Sequence, residues 1–384
     1  MYVIKAGSLF NVSNGTEKEF LSPFAEEFFE EESTSWGHEA WKYKQDDETS
    51  ERGIVPHSMM WGGRGKGQAP TRVKFHSVFE TPERLYYVLQ MKTSCGLFYF
   101  DYAQKQETRL FHRTDFQPSG LFIGDDYSIL TTMTSGDGAT HLVRFDDNGK
   151  REQVLTTGDC RDENPYAHGA YIYYQSSGLA RNEQGQIMAS GASSINRYDP
   201  KTGDIEFILE SDKFDYLLPR IASDGALFCI RTPYKVAPGY PIKNRLLDIL
   251  LFPWRMCVAI FAFLNVFSMF FAKKPLTTAG GPNPKQLDIS RRIMHNRLVN
   301  LQETWKQEGK KVAVNKDWKL IKFAGGETVE VASNVLWFDL DEQGNPVYTD
   351  GYSLYDSTGK SKFAADDLVS CIAFRRATAE SASD

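Results

Sequence analysis

Carboxylates recur at matching places in this sequence, each just ahead of an alternating apolar stretch: Asp115, Asp162 with Glu163, Asp215, and Asp366 with Asp367, while Asn334 takes the same place before another. Oxygen donors collected from several loops are what a hard cation such as Ca²⁺ coordinates, about six to eight at a time. If these strand starts converge on one mouth, Asp115, Asp162, Glu163, Asp215, Asn334 and Asp367 form a ring of oxygen ligands for Ca²⁺ or a cationic ligand. The competing role is structural, because Asp and Asn also make turns at strand starts. No dense calcium loop occurs, so the turn role is preferred and no metal is assigned. Seven histidines are scattered without an HxH or HExxH pair. His168 is the one with carboxylates near it in sequence, and it too is read as structural. No GxSxG elbow is present. Gly62-Gly63-Arg64-Gly65-Lys66-Gly67 lacks the Ser or Thr that follows the lysine of a phosphate-binding loop. Five cysteines, odd in number and without CxxC, suggest neither a disulfide framework nor a zinc site, and fit a reducing compartment.

The elements that would position such residues are strands. Eighteen Tyr and 26 Phe favour them. One pattern repeats: an apolar strand, an Asp or Asn, a tight turn, then a second strand. It occurs at Leu97–Asp101, Leu142–Asp146, Ile195–Asp199, Leu320–Phe323 and Ser353–Asp356, and near the start at Ser8–Asn11. Turn residues such as Asn148-Gly149 supply the positive φ that tight hairpins need. Most of these hairpins follow two further strands, for instance 73–80 with 84–91 and 217–222 with 226–231. The pattern Asp residues are 45 and 53 residues apart from 101 to 146 to 199, a period of propeller blades of four antiparallel strands. Leu368–Phe374 reads as an inner strand without partners, and Tyr2–Leu21 as outer strands without an inner one. Paired, they would close the ring and remove its open edges. Residues 22–72 are long enough for a degenerate blade, so seven blades are preferred and six are allowed.

On Asp162-Glu163-Asn164-Pro165-Tyr166, followed by YIYYQSSG and INRYDPKTG, the chain resembles the TolB/WD40-like, PD40-type propeller repeats; LPRIASDGALFCIR looks like the next copy. The resemblance covers most of residues 73–365 apart from an insertion. It implies the fold, not an activity. Phe374-Arg375-Arg376 is similar to the FRRG of phosphoinositide-binding propellers, but Ala377 replaces the Gly and the match is left to chance.

The insertion interrupts the fifth unit between residues 231 and 318. Residues 236–316 carry 13 Lys and Arg against 4 Asp and Glu, a charge of +9, which leaves −15 for the rest of a chain whose net charge is −6. A basic, apolar insertion in an acidic body points to an anionic lipid surface, and the acidic body argues against nucleic acid. The apolar run Leu246–Ala272 is broken by Pro253. Its uncharged part, Met256–Ala272, is 17 residues long, short of the ~20 needed to span a bilayer. Membrane contact is expected through Leu250, Leu251, Phe252, Trp254, Phe261, Phe263, Phe267, Phe270 and Phe271, with Arg255, Lys273, Lys274, Arg291 and Arg292 at the anionic surface. Leu287, Met294, Leu298, Leu301 and Trp305 predict an amphipathic helix over 285–308.

The expected organisation is therefore an all-β propeller of four-stranded blades over 1–235 and 317–384, closed by its terminal strands, with a helical insertion at 236–316. The N-terminal residues show no signal-peptide pattern, so the expected location is cytoplasmic, peripheral or monotopic at a membrane. The functional expectation is a non-enzymatic scaffold that binds a protein partner. The rival is a hydrolase or lactonase-like enzyme with a metal at the channel mouth.

Overall fold

The computed structural model describes residues 1–13, 15–31, 33–34, 73–234, 256, 291–295 and 297–376. The strands, in chain order, begin with β1 (Tyr2–Lys5), β2 (Ser8–Ser13) and β3 (Thr16–Phe20). Next come β4 (Lys74–Glu80), β5 (Arg84–Gln90), β6 (Cys95–Asp101) and β7 (Gln106–Arg113), then β8 (Leu121–Ile123), β9 (Ile129–Thr134), β10 (Thr140–Phe145) and β11 (Glu152–Val154). β12 (Cys160–His168), β13 (Tyr171–Arg181), β14 (Ile187–Ser190), β15 (Ser194–Tyr198) and β16 (Ile205–Leu209) follow. The last are β17 (Phe214–Ile221), β18 (Leu227–Pro233), β19 (Arg291–Met294), β20 (Arg297–Asn300), β21 (Lys319–Ala324), β22 (Glu327–Ser333), β23 (Trp337–Leu340), β24 (Pro346–Thr349), β25 (Ser353–Tyr355), β26 (Ser361–Ala364) and β27 (Val369–Ala373).

They form six four-stranded antiparallel groups among the described residues. Sheet 1 has the order β27-β1-β2-β3 and draws on both ends of the chain. Sheets 2 (β4–β7), 3 (β8–β11) and 6 (β23–β26) are simple meanders. Sheet 4 is β12-β13-β15-β16, with β14 paired to the long end of β13, and sheet 5 is β17-β18-β21-β22. One parallel bridge, Thr140 to Arg161, joins sheets 3 and 4. This is an all-β fold of propeller type.

Local chemistry explains the recurring Asp. It caps its own turn. Asp146 Oδ1 accepts the Lys150 N–H at 2.7 Å, and Asp101 Oδ1 accepts those of Ala103 and Gln104 at 3.0 and 2.9 Å. Gly149, at φ +67°, takes the left-handed conformation that the turn requires. These backbone donors hold the Asp101 and Asp146 carboxyls below the usual carboxylate range.

Apolar layers lie between successive sheets. Tyr2 and Leu9 pack with Val78 and Tyr87 between sheets 1 and 2; Phe79 and Val88 with Ile123 and Val143 between 2 and 3. Leu130 and Leu142 meet Ile172 and Tyr174 between 3 and 4, and Tyr166 and Ile195 meet Ile221 and Cys229 between 4 and 5. Leu217 and Phe228 meet Leu336 and Phe338 between 5 and 6, and Leu354 meets Val3 and Val369 between 6 and 1. The innermost strands β4, β8, β12, β17, β23 and β27 each touch the next, and β27 touches both β23 and β4.

Two compact units divide the chain: residues 1–27, 72–234 and 290–384, and residues 28–71 with 235–289. The first holds all six sheets. Nearly all of the second lies outside the described residues, including the apolar run apart from Met256, which is helical and exposed. Of residues 22–72, expected as a weak blade, 23–31 are helical and 35–72 lie outside the described residues. Phe24 N–H, at the start of that helix, donates to Glu107 Oε2 of β7 at 2.8 Å.

Sheet 5 is interrupted as expected: the chain leaves after β18 and returns in β21, which pairs with β18. The helix expected over 285–308 is corrected. Residues 285–290 lie outside the described residues; β19 and β20 pair as a hairpin, which places Arg291 and Arg292 in a strand, and among the described residues of this stretch only Leu301–Glu308 is helical. The reversal lies at His295, at φ +48°. Packing decides the outcome: Val299, Leu301 and Trp305 join the core between sheets 5 and 6, which a lipid-facing helix could not do. The following segment docks equally closely. Ala313 N–H donates to Asp350 O at 2.7 Å, and a Cβ on Gly351 would meet the Ala313 methyl at 2.4 Å.

The His295 ring stacks on Trp337 at 5.2 Å, sits 6.1 Å from Trp318 and donates through Nε2 to Leu336 O at 2.9 Å. Desolvation, with Arg220 adding repulsion, pulls its pKa down to about 4. Above pH 6.5 the ring is neutral whether the chain is folded or not. Between 6.5 and 4 the unfolded chain takes up a proton that the folded one refuses, so stability falls as pH falls, by about 2 kcal/mol at pH 5. Asn tolerates the left-handed backbone. In His295→Asn the loss of melting temperature between pH 7.5 and 5 should shrink relative to wild type; equal losses would mean that the ring titrates freely in the fold.

Candidate functional site

The innermost strands converge on a small central cavity lined by residues of all six sheets, among them Val78, Leu121, Tyr166, Arg220, Asp339 and Ile372, with Phe374 and Arg376 from beyond β27. Its volume is about 30 Å³, room for a water or two. Side chains fill the rest. Asp339 is buried, and Oδ1 accepts from Arg220 Nε at 3.2 Å and from an Arg376 Nη at 2.6 Å. Oδ2 accepts the Phe374 N–H at 2.9 Å. Both guanidinium groups lie against the Tyr166 ring, 5.3 and 5.2 Å from its centroid, and the Tyr166 hydroxyl donates to Ile221 O at 3.1 Å. The tail after β27 is held by the Arg376 N–H to Glu80 O at 3.1 Å and by Arg375, which donates to Pro82 O at 2.7 Å. This arrangement is a plug in which one carboxylate pairs with two guanidinium groups, and Arg376 Nε is buried without a hydrogen-bond partner.

The carboxylates expected at a channel mouth are placed as follows. Asp115 is exposed and held by Arg113 through two nitrogens at 2.9 and 2.7 Å; the guanidinium keeps its carboxyl below the usual range. Asp162 is buried, with Oδ1 accepting from Ser176 Oγ at 2.6 Å. Glu163 Oε2 accepts from Gln175 Nε2 at 2.9 Å, and Asp215 Oδ1 accepts the Ser193 N–H at 2.8 Å. Asn334, at φ +58°, donates to Val314 O at 3.0 Å. Asp367 accepts the Leu368 N–H at 2.7 Å. Asp366 pairs with Lys5 at 2.8 Å, which lowers its pKa. Each has a local partner. Among the described residues, the three-residue group within reach of a single metal ion is His141, Cys160 and Asp162, with no second member of the expected ring.

Gln175 is the interior junction that sequence reasoning missed. Its Oε1 accepts from Asn164 Nδ2 at 3.1 Å and from the Leu218 N–H at 2.9 Å. Asn164 and Leu218 both have positive φ, 51° and 56°, and both precede a proline in an inner strand. The two Pro-containing inner strands carried the signal, because proline in a strand marks a bulge.

Of the residues expected at a membrane, Leu250, Leu251, Phe252, Trp254, Arg255, Phe261, Phe263, Phe267, Phe270, Phe271, Lys273 and Lys274 lie outside the described residues. Arg291 and Arg292 are described in backbone only, as part of β19. No helix among the described residues is long and apolar enough to cross a membrane.

No family model and no curated protein matches the chain. Among solved structures it is similar to TolB from Acinetobacter baumannii at 10% identity and a TM-score of 0.39, covering 79% of this chain and 59% of that one. It is similar to the tricorn protease at 11% identity and a TM-score of 0.44, covering 92% of this chain and 32% of that one. A chain of a nidogen/laminin complex gives 9% identity and a TM-score of 0.47, covering 97% of this chain and 96% of that one. The chain thus spans about three-fifths of the TolB chain and one-third of the tricorn protease chain. The architecture rests on the sheets described above.

Proposed function

We propose that this protein is a non-enzymatic, six-bladed β-propeller that serves as a scaffold for a protein partner and docks on an anionic membrane surface by the insertion in its fifth blade. The observation that carries the scaffold reading is the Arg220–Asp339–Arg376 plug. A propeller enzyme works on a substrate at its central channel, and here the centre has room for a water or two. Six blades in place of seven are supported by the direct packing of sheet 1 on sheet 2. A blade formed by residues 22–72 would have to lie between them. The pairing of β27 with β1 supports closure of the ring by the two ends of the chain.

The docking reading rests on the apolar run at 246–272 and the basic residues beside it; residues 236–289 carry 6 Lys and Arg against 2 Asp and Glu, a charge of +4. Because Val299, Leu301, Ala313 and Val314 belong to the core between sheets 5 and 6, the membrane contact is assigned to 236–289. Replacing 236–289 by a short Gly-Ser linker should leave a folded protein that no longer sediments with phosphatidylserine-containing vesicles. Intact protein should sediment, less so in high salt, yet not be fully released. Charge attraction is screened over about 8–10 Å, whereas apolar burial is not. Intact protein that ignores the vesicles at low salt would end the membrane reading and leave the scaffold to stand alone.

A further inference from the structure

Where sheets 3 and 4 meet, three side chains of unlike chemistry converge. His141 belongs to β10, and Cys160 and Asp162 to β12. Thr140 and Arg161 are opposite each other across the parallel bridge. Side chains alternate along a strand, so the residues flanking that bridge, His141 on one side and Cys160 and Asp162 on the other, share the opposite face. The ligand atoms of the three lie within 4.8 Å of one another.

We propose that His141, Cys160 and Asp162 form a binding site for a borderline divalent metal ion of the zinc class. The donor set is the first reason. One imidazole, one thiol and one carboxylate match zinc, and they supply far too few oxygens for calcium or magnesium. Geometry is the second. Tetrahedral coordination at about 2.0–2.3 Å per bond requires donors about 3.3–3.8 Å apart, and Cys160 Sγ already lies 3.4 Å from Asp162 Oδ2. The third reason is orientation. Ser176 Oγ holds Asp162 Oδ1 at 2.6 Å and leaves Oδ2 facing the thiol; an outer partner of this kind aims a metal ligand. The fourth is an orphan. His141 Nδ1 is buried without a hydrogen-bond partner, a state that native folds rarely leave unexplained.

Cys160 and His141 are half-buried while Asp162 is buried, so an ion can enter from the surface and seat against the carboxylate. Three protein ligands leave the fourth position to water. Bound there, the ion would clamp sheet 3 to sheet 4 at the point where one backbone bridge joins them. The site does not depend on the scaffold reading.

Cobalt and zinc, added to full-length protein freed of metal by a chelator, test this. One equivalent of Co²⁺ should bind and give a thiolate-to-metal charge-transfer band in the near ultraviolet, and Zn²⁺ should displace it. Zn²⁺ should also raise the melting temperature by a few degrees, with no effect from Ca²⁺. Cys160→Ser should abolish the band, and His141→Gln and Asp162→Asn should each weaken Zn²⁺ binding at least ~100-fold. In case a variant fails to fold, alkylation of wild-type Cys160 is followed by peptide mass analysis. Stoichiometric Zn²⁺ should protect it, and a chelator should reverse the protection. A cobalt spectrum without the thiolate band, no uptake at micromolar free metal, or alkylation indifferent to Zn²⁺ overturns the site.

Discussion

Ending the chain before Val369 is expected to abolish cooperative unfolding. β27 contributes Val369, Cys371, Ile372 and Ala373 to the interior, all buried. It also accepts a hydrogen bond from Trp337 Nε1 at Ile372 O, 3.1 Å away, and pairs with β1 along its length. Each large apolar side chain contributes about 1.5–3 kcal/mol, and the ladder hydrogen bonds about 1 kcal/mol each. Their sum is of the order of the whole stability of a typical domain, about 5–15 kcal/mol. Loss of the strand also bares the inner edge of β1 and removes the tail that holds Arg376 in the centre. Far-ultraviolet circular dichroism of the truncated chain should show no sharp transition. A peptide spanning residues 367–376, added in trans, should restore part of it. A truncated protein that melts in the same range as the intact one would mean that β27 is an appendage and the ring is held elsewhere.

The second large effect is expected at Asp339. Its carboxylate is the ion-pair partner of two guanidinium groups that have little water around them, Arg220 and Arg376. Asp339→Ala leaves both uncompensated and also strands the Phe374 N–H. Breaking a buried pair from one side costs about 3–5 kcal/mol, so the denaturant midpoint should fall steeply. Replacing all three residues by apolar ones of similar volume, Arg220→Met, Asp339→Leu and Arg376→Met, should recover most of the loss, since desolvated pairs often contribute little net stability. An Asp339→Ala unfolding free energy within about 1 kcal/mol of wild type would show that the arginines reach solvent and that the centre is not a closed plug.

The hairpins were legible because their signals are local. Leu142–Asp146 with Asn148-Gly149 contains its alternation, its turn cap and its positive-φ residue within about ten positions, and the structure uses each of them there. The pairing of the last strand with the first was legible for a different reason: an apolar stretch at 368–374 had no partner nearby in sequence. The central plug was not legible. Arg220 and Asp339 are 119 residues apart, and alone each looks like an ordinary surface charge. The carboxylates at strand starts were visible, but not their partners; Ser176 and Gln175 of β13 and Ser193 of the loop before β15 capture them. The helix expected at 285–308 misled because Met294, Leu298, Leu301 and Trp305 sit three or four apart, a spacing that a hairpin followed by a short helix satisfies equally well. The group His141, Cys160 and Asp162 stayed hidden because it straddles two repeats, and repeat boundaries are where sequence patterns say least.

The pairing of β1 with β27 also sets a timetable. Ile4 O accepts from Ser370 Oγ across 366 residues. On a ribosome adding about 5–20 residues per second, β1 emerges ahead of β27 and waits on the order of 20–70 s for the strand that will cover it. Throughout that interval the nascent chain carries an unpaired, apolar β edge, the kind of surface that recruits wrong partners. The protein is therefore expected to depend on holdase protection during synthesis, and slowed translation of the codons for β21 to β27 should lower soluble yield without changing the melting temperature of what survives.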